Sequence, residues 1–200
     1  MRPRMMILLG LAAAVLAGPV HAGSTADAEM AVEREDYARA FALYTKAIEE
    51  AGSDPAARAS ALFDRAEIYS RLGKTADAMA DYAEALQLSH DPAFQALVVY
   101  GRGDLYAQVR KYPEAIAEYS QALALKPNLV GVLTSRGDAE RRLNNDTAAL
   151  ADFEAELKIN PKYPRAIRGR SQVLGLPDPT QVKENLWPGN GVSGAQAKGY

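Results

Sequence analysis

Small and apolar residues recur at helical spacing along residues 24–174, and polar residues fill the positions between them. A stretch with apolar residues three or four positions apart predicts a helix that buries one face. The stretches come in pairs, and breaks rich in proline, glycine, asparagine and aspartate follow each pair. We expect helix pairs at residues 24–54, 59–92, 96–129 and 130–163, and one further helix at residues 164–174.

The pairs repeat one another at a nearly constant interval. An alanine near the start of each second helix marks the interval, at Ala40, Ala78, Ala115 and Ala149. The last two alanines are 34 residues apart, whereas the earlier intervals are 38 and 37 residues. The extra residues fall at 55–58 and 93–95, where one more turn at the start of a helix is easily accommodated.

Residues 96–129 show the repeated pattern most fully. The recurring residues there are Gly103, Tyr106, Tyr112, Ala115, Tyr119, Ala122 and Pro127. A small residue followed by tyrosine, an alanine four residues before an aromatic residue, and a closing proline at this period resemble the tetratricopeptide repeat. The resemblance covers residues 24–174, about three quarters of the chain. It implies an all-α fold, a right-handed α-solenoid of antiparallel helix pairs with about four repeats and a C-terminal capping helix.

The recurring residues suit distinct packing roles. Small residues in the first helices let the two helices of a pair approach closely, and these are Ala66, Gly103 and Gly137. Large residues in the second helices fill the space between one repeat and the next, and these are Tyr82, Tyr119 and Phe153. Because no repeat can bury its faces alone, at least three must stack.

Charged residues recur in the same register. An arginine precedes each small residue, at Arg65, Arg102 and Arg136. A carboxylate precedes each packing aromatic, at Asp81, Glu118 and Asp152. We expect these groups to form partly buried arginine–carboxylate pairs between paired or adjacent helices.

The resemblance also implies a partner-binding surface. In tetratricopeptide proteins, the residue after the small one, with the residues four before it and three or four after it, lines a concave groove that takes a peptide or helix. Those positions are Phe63, Glu67, Ser70, Arg71, Tyr100, Asp104, Ala107, Gln108, Thr134, Asp138, Arg141 and Arg142. Aromatic residues and acids at one end, with arginines at the other, suit an amphipathic peptide that bears a basic group. The alternative is a face that is only solvated.

These features favour a non-enzymatic scaffold or adaptor that binds a protein or peptide partner. The chain has no cysteine and only two histidines, His21 and His90. It also lacks a phosphate-binding loop and a nucleophile motif. We therefore expect no catalytic residue, no cofactor and no metal site. The 23 basic and 25 acidic residues are near balance, so nothing indicates nucleic acid as a partner.

Residues 1–22 have the composition of a secretory signal peptide. Arg2 and Arg4 precede an apolar run at residues 5–17, and small residues precede a predicted cut after Ala22. The run is shorter than the roughly 20 residues that cross a bilayer, so a retained anchor is the less favoured alternative. We expect a bacterial protein that is periplasmic or secreted, with no membrane span after cleavage.

The rest of the chain divides into a predicted solenoid at residues 23–175 and a flexible tail at residues 176–200. The tail is rich in glycine, proline, asparagine and serine. Trp187 and its apolar neighbours could form a helical turn that docks on another surface. The alternative function is therefore self-assembly into a homo-oligomer, through the ends of the solenoid or through the Trp187 tail.

Overall fold

The computed structural model describes residues 22–181, where nine α-helices follow one another. The helices are α1 (Ala22–Glu33), α2 (Tyr37–Glu50), α3 (Pro55–Arg71), α4 (Thr75–Leu88), α5 (Pro92–Gln108), α6 (Tyr112–Leu125), α7 (Val132–Arg142), α8 (Asp146–Ile159) and α9 (Pro164–Val173). A 3-10 turn at Pro179–Gln181 ends this part of the chain, which contains no strand. None of the described helices combines the length and apolarity needed to cross a membrane. The predicted signal peptide up to residue 21, and the tail from residue 182 with Trp187, lie outside the described residues.

Consecutive helices pack as antiparallel pairs. The pairs are α1 with α2, α3 with α4, α5 with α6 and α7 with α8, and each second helix also contacts the first helix of the next pair or the cap. Helix α9 packs against α7 and α8 and covers the end of the fourth pair. Successive apolar clusters span neighbouring pairs and form a core that runs along the stack. The predicted all-α, right-handed solenoid of four repeats with a capping helix is confirmed.

Aspartate residues fix the starts of the two longest helices. The Asp54 carboxylate accepts hydrogen bonds from the amides of Ala56 and Ala57, and Asp91 caps α5 in the same way. A proline follows each aspartate at the first helical position, where no amide hydrogen is needed. Helices α3 and α5 have 17 residues each, whereas α7 has 11. The longer repeats therefore extend their first helices at the start, as predicted.

The packing aromatics are completely buried against small residues. Tyr82, Tyr119 and Phe153 are at most 1% exposed. A methyl group on Gly103 would lie 2.7 Å from Cε1 of Tyr119, and one on Gly137 would lie 2.9 Å from Cε1 of Phe153. Carbon atoms in a close-packed interior do not approach so closely. Glycine is therefore what allows the two helices of these repeats to hold an aromatic ring between them.

The predicted arginine–carboxylate pairs form in all three repeats. In the second and fourth repeats, two guanidinium nitrogens donate to both carboxylate oxygens at 2.7–2.9 Å. These pairs are Arg65–Asp81 and Arg136–Asp152. Arg102 donates from Nη2 alone to Glu118 at 2.7 Å, and its buried Nε has no hydrogen-bond partner among the described residues. Each pair ties the first helix of a repeat to the second.

We predict that Gly103→Ala destabilises the protein by about 1–3 kcal/mol, because the added methyl group overpacks the Tyr119 ring. Helix propensity alone predicts the opposite, a gain of about 1 kcal/mol for alanine over glycine. Urea-induced unfolding measures the change. The control is Ala117→Gly at an exposed position of α6, where only the propensity cost is expected. A more stable Gly103→Ala protein would show that the helices can separate without loss.

We also predict a ranking of stability losses for the arginines. Arg136→Ala should cost roughly 2–4 kcal/mol, because it leaves Asp152, whose side chain is 8% exposed, without its bidentate partner. Arg102→Ala should cost less, since a single hydrogen bond is lost. Lys46→Ala breaks an exposed pair within α2 and should cost about 1 kcal/mol or less. Equal losses in denaturant titrations of the three variants would contradict this ranking.

Candidate functional site

The first helices of the repeats lie on the inner side of the solenoid. Helix α3 contacts α5, α5 contacts α7, and α7 contacts α9. Within residues 22–181, no comparable contact joins the second helices α2, α4, α6 and α8 to one another. In a curved stack, the helices on the inner side lie closer to the equivalent helices of neighbouring repeats than those on the outer side do. The predicted groove therefore corresponds to the surface shared by α3, α5 and α7. We call this surface the inner wall and include α1, which holds the equivalent position in the first repeat.

A carboxyl group recurs on the inner wall, 15 residues before each packing aromatic. The Tyr82 hydroxyl donates a hydrogen bond to Oε1 of Glu67 at 2.5 Å. One repeat later, the Tyr119 hydroxyl donates to Oδ1 of Asp104 at 2.6 Å. The aromatic ring that packs the repeats together thus reaches through the core, and its hydroxyl holds a carboxylate on the inner wall.

The fourth repeat replaces this hydroxyl with a cation. Phe153 has no hydroxyl, and Oδ2 of Asp138 instead accepts a hydrogen bond from Nε of Arg165 at 2.9 Å. Nη1 of Arg165 also donates to the Ser135 hydroxyl at 3.2 Å. Arg165 belongs to the capping helix α9. The cap therefore neutralises the last carboxylate of the inner wall.

Burial of these carboxyl groups changes their protonation. Burial raises the pKa of Asp104 to about 6, although the Tyr119 hydrogen bond opposes the rise. Asp64, on the same helix as Glu67, has its pKa raised to about 8, first by burial and then by the charges of Glu29 and Glu67. The pKa of Glu67 is also raised by burial, against the hydrogen bond from Tyr82 and the charge of Arg71. The folded protein thus disfavours charge on these carboxyl groups, and at pH 7 Asp64 is mostly neutral because its pKa lies above 7.

The predicted aromatic residues of the groove contribute to the core as well. The Phe63 ring lies 6.0 Å from the Tyr82 ring and 5.9 Å from that of Phe94, measured between centroids. The Tyr100 ring lies 5.8 Å from the Tyr119 ring, and its hydroxyl shares a hydrogen bond of 3.2 Å with Ser135. Both rings are half-buried, so each keeps an accessible part.

Other predicted groove residues differ in how far they are accessible. The Ser70 hydroxyl donates to Oε1 of Gln108 at 3.2 Å, which links α3 to α5. The Arg71 guanidinium lies 5.9 Å from the centre of the Tyr37 ring. Ala107 and Arg141 are half-buried, and Gln108 and Arg142 are exposed. Thr134 is fully buried, so its side chain is out of reach of a partner in this structure.

Sequence reasoning missed three charged residues that belong to the inner wall. Glu29 lies 15 residues before Tyr44, the same offset as Glu67 before Tyr82, so the first repeat also supplies its carboxyl group. That offset could have identified it. Asp64 has no equivalent in the other repeats, where Gly101 and Ser135 take its place, and no sequence signal singled it out. Arg165 is in α9, which was predicted only as a cap.

The carboxyl groups of the inner wall form no tight cluster among the described residues. Among the described residues, no three histidine, aspartate or glutamate side chains come close enough together to hold a metal ion. The carboxyl groups are instead spread along successive helices, at a spacing of one repeat. Such a row can contact several side chains of an extended or helical segment at once.

Solved structures similar to this one include tetratricopeptide repeat proteins. A tetratricopeptide repeat protein from Parabacteroides merdae is 23% identical, with a TM-score of 0.62, and the match covers 79% of this chain and 61% of that one. This chain thus spans about three fifths of the length of that protein. The pilF protein of Pseudomonas aeruginosa is 20% identical, with a TM-score of 0.67, over 78% of this chain and 68% of that one.

A peptide complex is also among the similar structures. The second tetratricopeptide domain of human RPAP3, in complex with an HSP70 peptide, is 26% identical with a TM-score of 0.54, over 60% of this chain and 98% of that one. None of the curated proteins matches the sequence. The tetratricopeptide repeat-like domain family matches residues 21–138, more than half of the chain. The chain belongs to this family of tetratricopeptide repeat proteins.

Proposed function

We propose that the protein is a non-enzymatic scaffold of the bacterial periplasm that binds a peptide or helix of a partner protein along its inner wall. The observation that carries this proposal is the row of half-buried carboxyl groups and aromatic rings on α3 and α5. These side chains contact the core on one side and keep an accessible part on the other. A wall of this kind offers both charge and apolar surface to a bound segment.

The peptide complex of the human RPAP3 domain supports this use of the fold. Its peptide, SGPTIEEVD, carries two glutamates and an aspartate. The carboxyl groups on the inner wall of this chain would repel such a peptide. The partner we propose is therefore of a different chemical kind from that of the RPAP3 domain.

We predict that a photo-crosslinking residue at the exposed position Gln108 captures a partner in living cells. The same residue at Glu154, an exposed position on α8, should not. Asp104→Asn should reduce capture at position 108 at least tenfold, because it removes the charge and keeps the shape of the side chain. Mass spectrometry identifies what is caught. Capture that is equal at both positions, or unaffected by Asp104→Asn, would remove the support for the inner wall as the binding site.

The same experiment distinguishes binding of a different protein from the alternative function, which is self-assembly. Leu174 and Leu176 at the C-terminal end of the described chain are 50% and 57% exposed, which leaves apolar surface beside the cap. If the captured protein is a second copy of this chain, self-association is favoured. Sedimentation of the full protein beside a chain that ends at Gly175 then shows whether the tail is needed.

The periplasmic location rests on the N-terminal sequence pattern. We predict that the mature protein begins at Gly23 and is released with the periplasmic fraction of the cell. Intact-mass measurement of the purified protein determines the first residue. A protein that starts at Met1 and sediments with membranes would instead indicate that the apolar run is retained as an anchor.

A further inference from the structure

The charge on the inner wall is balanced in the fourth repeat but not in the first two. Asp138 of the fourth repeat is paired with Arg165 of the cap. The residues that correspond to Arg165 in the preceding repeats are Ser60, Leu97 and Gly131, and none of them carries a charge. The helices α3, α5 and α7, with the residue before α7, therefore provide no cation equivalent to Arg165 for the carboxyl groups of the first three repeats.

Asp64 of α3 adds a further acidic residue to the carboxyl groups that lack such a cation. The charges of Glu29 on α1 and Glu67 on α3 both act on Asp64, and Asp64 accepts no hydrogen bond from any described residue. Arg71 on α3 is the cation of this region whose charge reaches Glu67 and the Tyr44 hydroxyl. Its guanidinium is held near the Tyr37 ring. Arg71 thus acts on Glu67, whereas the charges that act on Asp64 are those of two carboxyl groups.

We propose that a lysine or arginine side chain of the bound partner segment pairs with Asp64 and Glu67, in the way that Arg165 of the cap pairs with Asp138. This inference rests on the proposed function and specifies the partner as a cationic segment. It also places the pairing site for that side chain at the first two repeats, beside the α5 part of the inner wall. The fourth repeat is excluded because Asp138 is already paired and Thr134 is buried.

The surroundings fit an organic cation with an apolar stem. No three carboxyl groups of the described chain are close enough for a metal ion, whereas a guanidinium or ammonium group can pair with two that are further apart. Phe63 lies four residues before Glu67, on the same face of α3, and presents a half-buried ring. The methylene groups of lysine or arginine pack well on such rings.

The pKa of Asp64 gives the inference a second readout. The group is neutral below a pKa of about 8, and pairing with a cation requires the charged form. The groups that face it are Glu29 of α1, Tyr44 of α2 and Glu67 of α3, with Arg71 nearby. Affinity for a cationic segment should therefore rise between about pH 6 and about pH 8 in the native protein. Asp64→Asn should remove this dependence.

The test uses the full protein and three pools of random peptides. One position is the same in every peptide of a pool, and it is arginine in the first pool, glutamine in the second and glutamate in the third. Fluorescence anisotropy measures binding at low salt. We expect the arginine pool to bind at least tenfold more tightly than the glutamine pool. Asp64→Asn and Glu67→Gln should each abolish this preference, and the matched control Glu154→Gln on α8 should leave it unchanged. Added salt should weaken the binding.

The variants must remain folded for this test to discriminate. Asp64→Asn should unfold at a higher temperature than the native protein at about pH 9, because the cost of the buried charge is removed. This difference should shrink as the pH falls towards 3.8, the ordinary pKa of the group, because above that value the unfolded chain is stabilised by ionising Asp64. The amide oxygen of glutamine at position 67 can still accept the Tyr82 hydrogen bond.

Other outcomes separate this inference from the proposed function. Equal binding of all three pools, lost in Asp104→Asn but kept in Asp64→Asn, would overturn the cationic site and leave the inner wall as a binding surface. Tighter binding of the glutamate pool would do the same. Absence of binding by every pool, together with no specific crosslink at position 108, would overturn both proposals.

Discussion

The whole structure depends on how one aromatic ring in each repeat is held between neighbouring helices. Phe153 shows this best, since its ring lies within 2.9 Å of where a methyl group would be on Gly137 of its own repeat and on Gly169 of the next helix. A side chain larger than hydrogen at either position would push the helices apart. The ring therefore fixes both the distance within a repeat and the distance to the next one. Repeats stacked in this way bury faces that none could bury alone.

The same rings connect the core to the candidate site. The hydroxyl groups of Tyr82 and Tyr119 extend from the packed ring to carboxylates on the inner wall. Burial raises the pKa of both tyrosines, so each hydroxyl remains protonated and donates. A carboxylate placed on this wall is thus oriented by the core and does not depend on a loop. This is the kind of rigid support that a selective binding surface needs.

The sequence predicted the contacts of those residues that recur at the repeat interval. The small residues, the packing aromatics and the arginine–carboxylate pairs all recur at a fixed offset, and their contacts result from helix geometry. Even the longer intervals were interpretable, because one extra turn at Pro55 or Pro92 leaves the packing of the later part of each helix unchanged. The family match and the confirmed solenoid both rest on these regular positions.

The candidate site was less predictable because its distinguishing residues break the period. Asp64 stands where the later repeats have Gly101 and Ser135, and Arg165 stands where the earlier ones have Gly131 and Leu97. Pattern reasoning treats equivalent positions alike, so it assigned the same groove role to Glu67, Asp104 and Asp138. Which carboxylate has a cation depends on contacts between neighbouring repeats, and these appear only when the chain is folded.

Because these residues depart from the repeat pattern, the two ends of the inner wall differ in charge and accessibility. At one end, Asp138 is neutralised by the cap, and Thr134 has no accessible surface. At the other end, burial and the charges of Glu29 and Glu67 raise the pKa of Asp64 to about 8, so the folded protein disfavours its charge. Its carboxyl group accepts no hydrogen bond from the described residues, which is why we propose that a partner's cation pairs with it. The cap thus closes one end of the wall with the same kind of contact that we propose a bound segment makes at the other.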